Sequence, residues 1–151
     1  MRRAITTFAL LGACTSSSNA TSDAAETVNC ATETRADTFV VGLPKPGAAG
    51  VLDFKLMQAT PAPPASGNNA WQVQINTTAG AGLTGATIKT TPYMPDHMHT
   101  SPLKPVTTEM GNGLYEITPV NLWMPGLWET TIQVASPSGT DSVVYSFCIP
   151  N

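Results

Sequence analysis

From Asp37 onward, turn residues cut the sequence into short β-like runs, and no stretch sustains a helical period. The clearest run is Trp71–Thr78: Trp71, Val73 and Ile75 face one way, and Gln72, Gln74 and Asn76 the other. Asp37–Leu43 reads as a first strand, stopped by Pro44-Lys45-Pro46-Gly47. Val51–Gln58 reads as a second, with Leu52, Phe54 and Leu56 alternating with their neighbours. The proline-rich stretch Thr60–Asn69 is a loop; Thr84–Tyr93, Leu114–Leu122, Leu127–Ala135 and Asp141–Ile149 are strands. Leu103–Glu109 is weaker, because Pro102 and Pro105 remove ladder donors and confine it to a sheet edge. Seven or eight short strands over about 115 residues predict an all-β fold, an immunoglobulin-like β-sandwich ahead of a closed barrel. At 151 residues the chain suits one core, and abundant Thr, Pro and Gly with 11% charged residues fit a β-rich exported domain.

The first residues read as an export signal. Arg2 and Arg3 precede a mostly apolar stretch, Ala4–Ala13, too short to span a bilayer, which takes about 20 residues. It ends in Leu11-Gly12-Ala13-Cys14, which resembles the lipobox of bacterial lipoproteins, in which the cysteine takes lipid and becomes the new N-terminus. An ordinary signal peptide cut nearby is the alternative. Residues 1–13 are thus expected to be a lipoprotein signal, 14–29 a polar flexible tether and 30–151 the sandwich. The mature protein is expected in the cell envelope, held to a membrane through lipid on Cys14 and facing the periplasm or the outer surface. Cys30 and Cys148 are then left to pair in an oxidising compartment. That bridge would close a loop of about 120 residues, for which chain entropy suggests roughly 4–5 kcal/mol. Losing Arg2 and Arg3 leaves five basic against ten acidic side chains, about −5, with no basic run for phosphates, so nucleic acid is not an expected partner.

Enzymatic chemistry has little support: there are two histidines, both in one loop, and no Gly-x-Ser-x-Gly elbow or phosphate-cradling glycine pattern. A zinc site from Asp96, His97 and His99 would need three near neighbours to find good geometry. The distinctive segment is Met94-Pro95-Asp96-His97-Met98-His99. In an extended chain the imidazoles of His97 and His99 leave the same side. Thioethers are soft donors and imidazole is borderline, a mixture that suits a copper ion, Cu(I) more than Cu(II). A second methionine loop, Trp123-Met124-Pro125-Gly126-Leu127-Trp128, follows about 25 residues later. If consecutive strands alternate in direction, Met124 shares a pole with His97 and His99, as do Thr60–Asn69, Cys30 and Cys148, while Met110 falls at the opposite pole. The bland reading keeps the histidines solvated, Met57 in the core and Trp71, Trp123 and Trp128 as packing residues.

At these residues the chain resembles the YtkA-like and FixH-like group of exported β-sandwich domains. The resemblance runs from about Trp71 to Val134. It rests on the Met94–His99 segment, on Gly113-Leu114-Tyr115 opening a strand, and on Met124-Pro125-Gly126 before Leu127-Trp128-Glu129. The group is associated with copper handling and the assembly of respiratory oxidases. The resemblance implies His97 and His99 as metal ligands, with Met94 and Met124 beside them. Met98 stands where a small residue is often found, and FixH-like members are held by a transmembrane helix where this chain has a lipobox-type start. The expectation is a copper-binding envelope lipoprotein that buffers or delivers the metal to or from a donor or acceptor protein and is not an enzyme. The alternative is a β-sandwich interaction module without metal. The anchor is testable first: Cys14→Ser should change localisation or block maturation. Unchanged membrane fractionation, with no acyl chain in the intact mass, would remove the lipid anchor.

Overall fold

The computed structural model of the protein describes residues 28–151. Cys14, the expected signal segment and all but the last residues of the expected tether lie outside them. Among the described residues, nine strands form two antiparallel sheets: β1 (Leu43–Pro46), β2 (Leu52–Thr60), β3 (Gly67–Thr77), β4 (Thr87–Met94), β5 (His99–Thr100), β6 (Val106–Gly111), β7 (Leu114–Leu122), β8 (Gly126–Ser136) and β9 (Gly139–Ile149). One sheet has the order β1-β2-β3-β7-β6, the other β5-β4-β8-β9. This is the all-β sandwich that the alternating runs predict. Among the described residues, no helix is long and apolar enough to cross a membrane.

Period-2 alternation builds the core. Leu52, Phe54 and Leu56 of β2 and Trp71, Val73 and Ile75 of β3 point inward and are fully buried. Across the sandwich, Trp71 meets Tyr145 and Phe147 of β9 edge-on, with ring centres 6.4 and 5.6 Å apart. Such edge-to-face contacts add specificity to the burial of large apolar area.

Three details differ from the expected strand plan. The first strand is Leu43–Pro46, not Asp37–Leu43: β1 is an edge strand, where two prolines can be accommodated. Asp37 instead covers the open edge of β9. Its N–H donates to the Ser146 carbonyl (2.7 Å), and its carboxylate accepts from the Ser146 N–H and from Lys45 Nζ. Met57 sits at a bulge between Leu56 and Gln58 and faces solvent, not the core. The ninth strand is the two-residue β5, folded inside what reads as a loop.

The expected pairing of Cys30 with Cys148 is present, with Cα atoms 5.5 Å apart. Cys148 lies opposite Leu127 in the β8–β9 ladder, beside the start of β8. The end of β4 is at the same pole, since Tyr93 pairs with Glu129. The ends of β7 and β2 and the start of β3 share it, since Gly67 pairs with Leu122 and Thr60 with Ala70. Met110, by the β6–β7 hairpin, is at the far pole.

The far pole is closed by one buried carboxylate. Asp141 Oδ1 accepts from the N–H groups of Ala49 and Ser142, and Oδ2 from those of Val51 and Leu52, all at 2.8 Å. This fastens the β1–β2 turn of one sheet to β9 of the other. A Cβ at Gly47 would fall on that carboxylate, so the turn needs glycine there. Burial alone would push the Asp141 pKa up; the four N–H donors outweigh it and hold it below the usual value. The folded pKa is therefore below the unfolded value of about 4. The carboxylate's stabilisation is present above that value and lost as pH falls through the folded pKa. Asp141→Asn turns an amide NH2 toward two N–H donors. It should cost roughly 2–4 kcal/mol at neutral pH by urea unfolding and shrink the loss of stability on acidification. Unchanged stability would show that the staple is not needed.

Candidate functional site

β4 ends at Met94, whose side chain is fully buried. Pro95–His97 then forms one 3-10 turn, and Met98 takes a left-handed conformation, φ 53°. The chain folds straight back as β5, with Met94 opposite His99 and Tyr93 opposite Thr100. The His-Met-His segment is therefore a tight turn and not the extended run assumed from its spacing. The imidazoles still converge: their ring centres are 5.8 Å apart. His97 is exposed and His99 half-buried.

His99 is fixed by two indoles. Trp123 stacks on it at 5.7 Å and an interplanar angle of 26°, and Trp128 meets it edge-on at 6.0 Å. Trp128 also donates its Nε1–H to the Met124 carbonyl (2.9 Å). One buried side chain thus locks the Met124–Pro125 turn beside His99. Gly126 closes that turn at φ 129°, and a Cβ there would fall on the Met94 methyl group. The two methionine loops are consequently in van der Waals contact, and the glycine of Met-Pro-Gly is what permits it.

Met94, His97, His99 and the Met124 turn are thus gathered at one pole. Met124 is half-buried against the core, Met98 is 81% exposed and Met110 is remote. Among the described residues, no three His, Cys, Asp or Glu side chains cluster as a metal-binding group. A shallow recess of about 290 Å³ opens beside the turn, lined by Glu33, Met94, Asp96, His97, Leu127 and Cys148 among others.

The electrostatics come from a segment that carries no sequence signal. Arg35, in the irregular strap 28–42, places Nη1 at 2.7 Å from Asp96 Oδ1 and Nη2 at 2.8 Å from Oδ2. The same guanidinium binds both oxygens of Glu33, at 2.9 and 2.6 Å. Hydrogen bonds from Arg35 hold the Asp96 and Glu33 carboxyls below their usual pKa, and the guanidinium's own pKa is raised in return, first by Asp96 and then by Glu33. Reading the sequence also missed the indole contacts to His99. The available signal was that Trp123 and Trp128 bracket Met-Pro-Gly on the loop assigned to the same pole.

A family model described as YtkA-like matches residues 48–133. The chain belongs to the YtkA-like family. The YtkA-like match contains both methionine loops, the two histidines and both indoles, while the strap, Cys30 and Cys148 lie outside it. No curated protein and no solved structure matches the chain.

The contact between the loops is testable without a ligand. Gly126→Ala adds a Cβ at positive φ and against Met94, and should destabilise by on the order of 2–4 kcal/mol. Measured in a Met94→Ala background, the added loss should shrink. Equal losses in the two backgrounds would mean that the loops do not bear on each other.

Proposed function

We propose that the protein binds a copper ion, Cu(I) in preference to Cu(II), through His97, His99 and the Met124 thioether, with Met94 as the candidate fourth donor. On this reading it buffers or delivers the metal in the cell envelope, exchanging it with a partner protein and catalysing no reaction. Lipid on Cys14 would keep it at a membrane. The supporting observation is the convergence of the two imidazoles beside the Met124 turn. An imidazole nitrogen binds a metal at about 2.0–2.1 Å, so two rings on one ion have centres roughly 5–6.5 Å apart. The observed 5.8 Å lies inside that span.

The donor set also suits the metal. Cu(I) is soft and accepts low coordination numbers, so two neutral imidazoles and one or two thioethers can hold it without a charged ligand. His99 is already oriented by Trp123 and Trp128, and Met94 lines the same recess as His97. Little ordering entropy is then lost on binding. A partner-binding module without metal is the second reading, favoured by the exposure of Met98 and Trp123 at this pole (81% and 47%).

Competition against a chromogenic chelator separates the two. His97→Ala and His99→Ala should each weaken copper binding by at least about tenfold. Met124→Leu keeps volume and removes sulfur, and should weaken Cu(I) more than Cu(II). Met110→Leu should change nothing, because Met110 is at the other pole. Copper should also quench tryptophan emission, because Trp123 lies against His99. Copper binding that survives the double change at His97 and His99 would end the metal reading.

A further inference from the structure

We infer that Arg35 is a specificity-determining residue of this pole: it occupies the carboxylates beside His97 and so denies hard oxygen donors to an incoming divalent ion. The inference rests on the copper reading and names what would keep that site soft.

The recess beside the turn is lined by one imidazole, His97, one thioether, Met94, and two carboxylates, Asp96 and Glu33. Asp96, Glu33 and His97 do not stand together as a three-ligand group, but a freed Asp96 carboxylate beside His97 would add a hard oxygen donor of the kind that suits Zn(II). All four carboxylate oxygens are engaged instead by a single guanidinium. Asp96 is gripped by both Nη atoms, at 2.7 and 2.8 Å, and Glu33 by Nε and Nη2, at 2.9 and 2.6 Å. The Arg35 backbone N–H adds a further bond to Glu33 Oε1. Arginine fits this task because its charge is permanent and its planar fork matches two oxygens at once.

Charge works in the same direction. One guanidinium stands against two carboxylates; without it the recess carries two uncompensated negative charges. With it the net charge is −1, and the attraction removed is twice as large for a divalent ion as for a monovalent one at the same distance. Binding through imidazole and sulfur leaves the ion pair intact, whereas binding through Asp96 must break it.

Arg35 and Asp96 are each about half exposed (48% and 49%), and such pairs add little to fold stability. The strap nevertheless pins this one from both sides. Cys30 is bridged to Cys148 five residues before Arg35, and Asp37 is bonded to Ser146 two residues after it. The guanidinium is therefore held in place with less ordering cost than a free surface side chain. Arg35 precedes the residues matched by the family model, 48–133.

The test measures Zn(II) and Cu(I) affinity of the exported protein, of Arg35→Gln, and of Arg35→Gln with Asp96→Asn. Peptide mapping first confirms the Cys30–Cys148 bridge in each. Arg35→Gln should bind Zn(II) on the order of tenfold more tightly, with Cu(I) affinity little changed, and the added Asp96→Asn should abolish the gain. A Zn(II)-dependent rise in melting temperature confined to Arg35→Gln would say the same by a second measurement. No Zn(II) gain, or a gain that survives Asp96→Asn, overturns the inference. A parallel loss of Cu(I) affinity also overturns it, because Arg35 would then be holding the loop and not sorting metals. If the native protein fails to bind Cu(I) while Arg35→Gln shows the Asp96-dependent gain, the copper reading falls and the exclusion of the hard ion stands.

Discussion

Both methionine loops hang on the β4–β8 ladder. Because the two strands are antiparallel, with Tyr93 opposite Glu129, the chain leaving β4 and the chain entering β8 share one pole. Everything at the candidate site follows from that register. A slip of one residue would turn Met94 outward and Trp128 away from His99, since side chains alternate faces along a strand. The register is held by burial, because Thr90, Ile132 and Val134 face the core between the sheets. Gly126 then sets the distance between the loops, by having no side chain where the Met94 methyl group lies.

The rest of the molecule keeps that ladder from shifting. Trp71 plugs the gap between the sheets against Tyr145 and Phe147. Asp141 ties the sheets at the far pole, and the Cys30–Cys148 bridge ties the strap to β9 at the near one. These fastenings span the length of the sandwich. A binding site at its end therefore inherits a rigid frame, and its side chains need little reorganisation to meet a ligand.

Strands were legible where alternation is strict, as in Trp71–Ile75, because burying one face leaves a period of two in the sequence. The common pole of the two loops was legible too, since antiparallel alternation needs only a count of strands. Local conformation was not. The turn at Pro95–His97 replaces an extended segment, because Pro95 starts a 3-10 turn and Met98 takes positive φ, an uncommon choice for a non-glycine residue. Asp37–Leu43 has strand-like composition, yet only Asp37 bonds to β9, while Gly42 bonds to Leu56 of β2 and Leu43 begins β1, so no single ladder forms. Arg35 was invisible for a similar reason. Its partner lies 61 residues away, and an irregular segment has no periodicity to say what it touches.

Met94 shows why sulfur suits this position. A carboxylate or imidazole placed at the rim of a hydrophobic core must keep a polar partner or lose free energy on burial. A thioether carries no such demand, so it packs as a core residue and still presents a donor atom. Met94 is fully buried and packs against Gly126, yet it lines the recess shared with His97. On the copper reading, a soft donor is available at no cost to packing, and only the exposed side of the site must be polar. That side carries His97, Asp96 and Glu33, and the two carboxylates are the groups there that would invite a hard ion. On the same reading, the capture of both carboxylates by Arg35 leaves imidazole and sulfur to favour a soft, singly charged metal over a hard, doubly charged one.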